Sequence, residues 1–301
     1  MRQQQRSPIQ PKVEILLRKA YYYVRKDGFN SESCFPNGGL RSRSNRFGRR
    51  CFKTSITLVN LHSNVRTETA VPYKAFKDAG FDVSFVTESG KAPECDKAML
   101  EGWTQKLLGA AQPAIEAYDT MTASSEWQKP LAWTTDNFTL MDFDLIFLPG
   151  GHEKGVRQIL DSETLHKKLA EYFPHTKRSQ SQKCCAAICH GVQVLAHANV
   201  LGDVTTTALP GAFENGAYQS TRLFLGDYYK TYGAGTENVE DTVKSKLQDP
   251  EKQWKSSANP AAPFIVVDEG YYYMSGRWPG DAQLLAEKTV EMVKQVKGAA
   301  N

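Results

Sequence analysis

Several features are missing from this 301-residue chain, and each absence removes a class of function. No stretch approaches the run of about 18 apolar residues that would span a membrane. The six cysteines form no CxxC pair, and no Cys/His spacing matches a zinc scaffold, so no metal is expected. Free thiols in a reducing compartment are the simplest account of them. No apolar core beside a small-residue cleavage site stands near the N-terminus, which argues against secretion. Acidic residues are scarce only at the start. Residues 1–50 hold 12 Lys/Arg against three acids, while the remainder holds 25 basic and 30 acidic residues. The formal charge of +4 therefore belongs to a tail, and a basic nucleic-acid surface on the folded part is not expected.

Residues 1–53 read as a basic, disordered extension. Its Arg and Ser content (Arg41, Arg43, Arg46, Arg49, Arg50) also has something of a mitochondrial presequence. The compartment expected is the cytoplasm, with mitochondrial import as the alternative. Beyond the tail, a hydrophobic content of 41% with 23% charged residues places the chain among globular proteins able to build a full core.

Strand and helix patterns alternate from residue 54 onwards. Ser55–Leu61 reads as a strand, Glu68–Ala79 as a helix stopped by Gly80, and Phe81–Thr87 as a second strand. Pro72 marks the first turn of that helix or kinks it. This βαβ unit implies a parallel sheet. Asp144–Leu148 is a near-continuous apolar strand, as expected where helices cover both sheet faces. Leu165–Tyr172 reads as a helix, Cys184–Ile188 as a strand and Val192–Ala198 as the helix after it. Thr205–Leu209 reads as a further segment, followed by an extended polar segment to about Trp254. Phe264–Val267 and Tyr271–Ser275 suggest a hairpin, and Asp281–Val296 a closing amphipathic helix. The pattern predicts one doubly wound α/β domain over 54–298, with a mostly parallel sheet and insertions near 89–140 and 223–260.

The chemistry concentrates at Ala187-Ile188-Cys189-His190-Gly191, which ends a strand and opens a helix. A nucleophile elbow needs small residues two before and two after the nucleophile, because the turn is sharp and larger side chains would collide with it. Ala187 and Gly191 fill those places. Cys189 then stands at a helix N-terminus, where backbone N–H groups favour an anion. Lowering a thiol pKa from about 8.5 to about 6 requires roughly 3.4 kcal/mol, and a helix end supplies at most about 2. His190 or a protonated carboxyl would have to supply the rest. Cys184 and Cys185 read as small buried hydrophobes.

Together with Leu148-Pro149-Gly150-Gly151-His152 upstream, this run resembles the DJ-1/PfpI superfamily, and within it the Hsp31-like class of glutathione-independent glyoxalases. The resemblance covers about residues 54–298. It implies a flavodoxin-like three-layer sandwich of the class I glutamine amidotransferase-like type. It also implies a glutamate facing the cysteine, matched by Glu68, and an acid paired with the histidine, matched by Glu214. The turn Gly150-Gly151, with the Gly151 and His190 N–H groups, would form the oxyanion site. The implied function is cysteine-dependent conversion of 2-oxoaldehydes such as methylglyoxal to 2-hydroxy acids, with a small carbonyl substrate, no cofactor, and a homodimer as the common assembly. The alternatives are an amidase or peptidase of the same architecture, and a non-catalytic redox sensor or holdase. A glutamine amidotransferase would need a late His-Pro-Glu, and no histidine follows His197. The chain departs from the pattern in the long segment Phe224–Trp254, which carries Asp227-Tyr228-Tyr229-Lys230-Thr231-Tyr232.

Overall fold

A computed structural model describes residues 53–56, 65–93, 112–151, 154–179, 183–257, 259 and 261–298, with backbone only at 53–56, 65–66 and 112. The basic tail, the amphipathic stretch Lys97–Ala111 and the pair His152-Glu153 lie outside these residues.

Among the described residues, seven strands make one sheet: β1 (Lys53–Ile56), β2 (Asp82–Thr87), β3 (Leu131–Ala132), β4 (Leu145–Leu148), β5 (Cys184–Ile188), β6 (Ile265–Val267) and β7 (Tyr273–Gly276). Their spatial order is β3-β2-β1-β4-β5-β7-β6. Every pairing is parallel except β6 with β7, which is the expected hairpin. The β4, β5 and β7 side chains are buried throughout, which explains why these runs lack polar alternation.

The helices that matter here are α1 (Ala70–Asp78), α2 (Gln112–Thr122), α3 (Glu163–Tyr172), α4 (His190–His197), α5 (Gly211–Leu225), α6 (Val239–Lys244) and α7 (Ala282–Gly298). α7 packs on α1 and α1 on α2, whereas α4 packs against α3 and α6. The two groups cover opposite faces of the sheet, giving the expected three-layer α/β sandwich. Pro72 lies in the first turn of α1, where its missing N–H costs nothing. Ser162 caps α3 through its side chain, and Tyr172 at the other end of α3 donates to the Cys184 carbonyl at 3.0 Å, tying the helix to β5.

One expectation fails. The stretch after Leu209 is not mainly extended: it holds the 15-residue helix α5, then α6, then a short helical turn at Pro250–Gln253. Only Gly211 and Glu214 of α5 are buried, and its large apolar residues Phe213, Leu223 and Phe224 are exposed, so they mark no core-facing stripe. Its Gly, Asn, Ser and Thr content is also that of a weak helix former. The extended character near Thr206 reduces to a single parallel bridge with Trp254.

Strand order reverses at β1. The chain steps outward from β1 to β2 and β3, then resumes on the other side with β4, β5 and β7. The crevice at the carboxyl ends of β1, β4 and β5 is where such sheets bind ligands. Glu68, Gly150 and Cys189 each follow one of those three strands.

Candidate active site

Cys189 is the N-cap residue of α4, with φ 59° and ψ −127°. A non-glycine residue held at positive φ stores about 1–3 kcal/mol, which the surrounding structure must impose. Three contacts impose it here. The Cys189 amide donates to the Gly276 carbonyl at the end of β7, at 3.1 Å. A Cβ at position 191 would stand 2.1 Å from the Leu148 carbonyl oxygen, so only glycine lets the elbow approach β4 this closely. A Cβ at position 150 would lie 2.5 Å from Cys189 Cβ and 2.7 Å from Glu68 Oε2. Gly150 thus leaves room for the thiol and the carboxyl to meet. Gly151 beside it is buried.

Glu68 is 1% exposed and Cys189 6%. Neither carboxylate oxygen of Glu68 closes a hydrogen bond, although the Cys189 thiol and the Gly150 amide stand against the group. Burial pushes the Glu68 pKa up to about 8, and the nearby Asp281 charge adds to the rise. The carboxyl therefore carries its proton at neutral pH. The Cys189 thiol is also pushed up, first by burial and then by the Glu68 charge, against a smaller lowering from the His190 amide. This corrects the expectation of a thiol lowered by its helix end. The helix is where the sequence puts it, but loss of solvent outweighs its dipole. The two groups form one coupled pair, and with both shifted upward each holds its own proton at neutral pH.

His190 is 1% exposed. Its Nδ1 lies 3.4 Å from Cys189 Sγ, and its Nε2 lies 3.1 Å from Thr231 Oγ1. Glu214 comes to the same end of the sheet and is 4% exposed. The contacts on its carboxylate are Lys230 Nζ at 3.2 Å on Oε1 and the Val239 amide at 2.9 Å on Oε2, the second at the start of α6. Burial raises the Glu214 pKa, while Val239 and Lys230 oppose the rise. Glu68, Gly150, Cys189 and His190 come together at this edge, whereas Glu214, expected beside the histidine, reaches Lys230 and the Val239 amide instead of the ring. Thr231 and Lys230 join them unforeseen, because no spacing links them to the elbow; the only hint was the unusual length of the segment that carries them.

Beneath the elbow, Arg277 and Asp281 form a fully buried ion pair, with Nε–Oδ2 at 2.9 Å. Asp281 also accepts from the Arg277 and Phe264 amides, each at 2.8 Å. Among the described residues no group of three or more His, Cys, Asp or Glu could hold a metal ion, and no helix is long and apolar enough to cross a membrane.

Fold and site define an α/β protein with a cysteine on a nucleophile elbow at the switch point of a parallel sheet. The chain belongs to the ThiJ/PfpI-like family, whose pattern matches residues 62–258, more than half of its length, so the DJ-1/PfpI resemblance of the motifs stands. Two uncharacterised proteins of Schizosaccharomyces pombe are similar to it. One is 27% identical over 250 residues, covering 82% of this chain and 87% of its own; the other is 26% identical over 241 residues, covering 76% and 74%. Among solved structures, the glyoxalase III of Candida albicans shares the fold with a TM-score of 0.56 at 14% identity, covering 80% of this chain and 97% of its own.

Proposed function

We propose that this protein converts small 2-oxoaldehydes such as methylglyoxal to 2-hydroxy acids without glutathione. The observation that carries the reading is Glu68: a buried, proton-bearing carboxyl whose oxygens close no hydrogen bond among the described residues, set against the elbow thiol. An internal redox conversion of a 2-oxoaldehyde needs a group that gives a proton and then moves another between adjacent carbons, and a carboxyl with a pKa near the working pH suits both tasks.

The steps balance as follows. As Cys189 sulfur bonds to the aldehyde carbon, His190 takes the thiol proton and Glu68 gives its own proton to the carbonyl oxygen, forming a hemithioacetal. Glu68, now a carboxylate, removes the hydrogen from that carbon to form an enediolate. It returns that proton to the neighbouring carbon while the hydroxyl proton passes to the adjacent oxygen, leaving a 2-hydroxy thioester. His190 passes its proton back to Glu68 and then activates the water that cleaves the thioester, releasing the 2-hydroxy acid and returning a proton to the thiol. The amides of His190 and Gly151 are the donors for the oxyanions. The deeply set thiol favours a substrate of few atoms over a peptide. A redox sensor would need an accessible, low-pKa thiol, and Cys189 has neither property.

The experiment is lactate formation from methylglyoxal in the absence of glutathione. Wild type is expected to form lactate, and Cys189→Ala and Glu68→Gln to fall at least about a hundredfold below it. Equal rates for wild type and Cys189→Ala would end this reading. Hydrolysis of amide or ester panels without lactate would point to the hydrolase instead.

A further inference from the structure

We infer that Thr231 is the residue that positions His190, and that Glu214 acts on the ring at one remove, through Lys230. The inference rests on the reading of His190 as the acid/base partner of Cys189. Thr231 Oγ1 stands at His190 Nε2 and Cys189 Sγ at Nδ1, so the ring is held between the hydroxyl and the thiol. His190 and Thr231 are both buried, which gives this contact more weight than a solvated one would have.

A hydroxyl at Nε2 differs from a carboxylate in a way that suits a proton carrier. The ring that takes the thiol proton at Nδ1 carries its own proton on Nε2, and the Thr231 oxygen accepts from that Nε2–H before and after the transfer. In the other neutral tautomer, with Nδ1–H toward the sulfur, the hydroxyl turns and donates to Nε2. Each state of His190 stays satisfied without moving a heavy atom. A carboxylate accepts only, and would favour the cationic ring throughout.

Thr231 is itself fixed from two directions. Arg157 Nε donates to its carbonyl at 2.7 Å, and the Arg157 guanidinium lies 4.9 Å from the centre of the Tyr232 ring. On the other side its neighbour Lys230 reaches Glu214 Oε1 at 3.2 Å and Asn215 Oδ1 at 2.8 Å. The Lys154–Asp227 pair, at 3.0 Å, closes the same segment onto the turn that follows β4. Glu214 therefore anchors the segment that presents Thr231: it holds Lys230, and Lys230 precedes the hydroxyl on the ring. This is the physical sense in which an acid after Leu209 supports the histidine here.

The test uses the full chain with Thr231→Val, Thr231→Ser, Glu214→Gln, Lys230→Met and the Glu214→Gln/Lys230→Met double variant. Two readouts are taken: the rate of Cys189 alkylation by iodoacetamide, followed by mass spectrometry, and kcat and KM for methylglyoxal. Thr231→Val is expected to slow both alkylation and kcat about tenfold, the loss of one buried hydrogen bond, with KM within about twofold. Thr231→Ser is expected to restore both to within about twofold of wild type. Equal rates in Thr231→Val and wild type, or failure of Thr231→Ser to recover, would overturn the role of Thr231. Glu214→Gln and Lys230→Met are expected to have similar effects, with the double variant no worse than either. Additive losses would overturn the indirect role of Glu214. If wild type forms no lactate, the proposed activity fails, while the alkylation rates still decide the positioning role.

Discussion

Replacing Glu68 by glutamine isolates the energetic cost of the buried carboxyl, because the amide keeps its shape and cannot ionise. In the folded protein the Glu68 pKa is about 8, against 4.5 for the free side chain. Below the lower value both folded and unfolded chains hold the proton, and ionisation costs nothing. As pH rises from there, the unfolded chain releases a proton that the folded chain keeps, so stability falls. Above about pH 8 both states are ionised and the full cost is reached. A difference of about 3.5 units corresponds to about 5 kcal/mol in all, of which about 3 is reached by pH 7. The Glu68→Gln variant lacks this slope, and titrating groups other than the coupled Cys189 cancel when the two proteins are compared. The assay is urea unfolding of both proteins at about pH 5 and about pH 9, where this group changes stability by about 4 kcal/mol. With a slope of about 2–3 kcal/mol per molar, the wild-type midpoint should fall between about 1 and 2 M further than that of the variant. Parallel profiles would show that Glu68 ionises freely, and the proton relay proposed for it would lose its basis.

Three further outcomes follow from the packing around the elbow. Gly191→Ala sets a Cβ 2.1 Å from a backbone oxygen that cannot yield, so thermal unfolding by circular dichroism should show a loss of more than about 3 kcal/mol or no folded protein. Asp281→Asn removes the carboxylate charge that faces the fully buried Arg277 guanidinium, and should cost about 3–5 kcal/mol in denaturant unfolding. Cys184→Ala should leave methylglyoxal turnover within about twofold, since burial pushes that thiol up to about 12 and it takes no part in the proposed chemistry; a large loss of turnover with the fold intact would contradict this assignment.

Much of this architecture is legible in the residues, and the exceptions have definite causes. β5 was bounded at Cys184–Ile188 because a fully buried parallel strand is a short apolar run between turn signals, and β4 differs from its reading by one residue. The elbow could be read because its sterics demand small residues at fixed offsets, a rule written within five positions. The helix α5 was missed because it is built of weak helix formers and buries almost nothing, its large apolar residues lying exposed among polar ones. Thr231 was invisible for another reason: it meets His190 across 41 positions, and its side chain carries no motif. The direction of the Cys189 shift was hidden as well. A helix end can be inferred from neighbouring residues, whereas desolvation depends on everything folded around them.

The two glycine contacts at the elbow have a consequence for how such a site can diversify. Gly191 brings backbone against the Leu148 carbonyl, and Gly150 brings backbone against Cys189 and Glu68, so these parts register on one another with almost no slack. Changes there are punished sterically before they can alter selectivity. The α5 helix and the Asp227–Tyr232 segment are held mainly by side-chain ties, and α5 is largely exposed. A lineage exploring new substrates would be free to vary these pieces while the sulfur, the carboxyl and their turn stay cast in one shape.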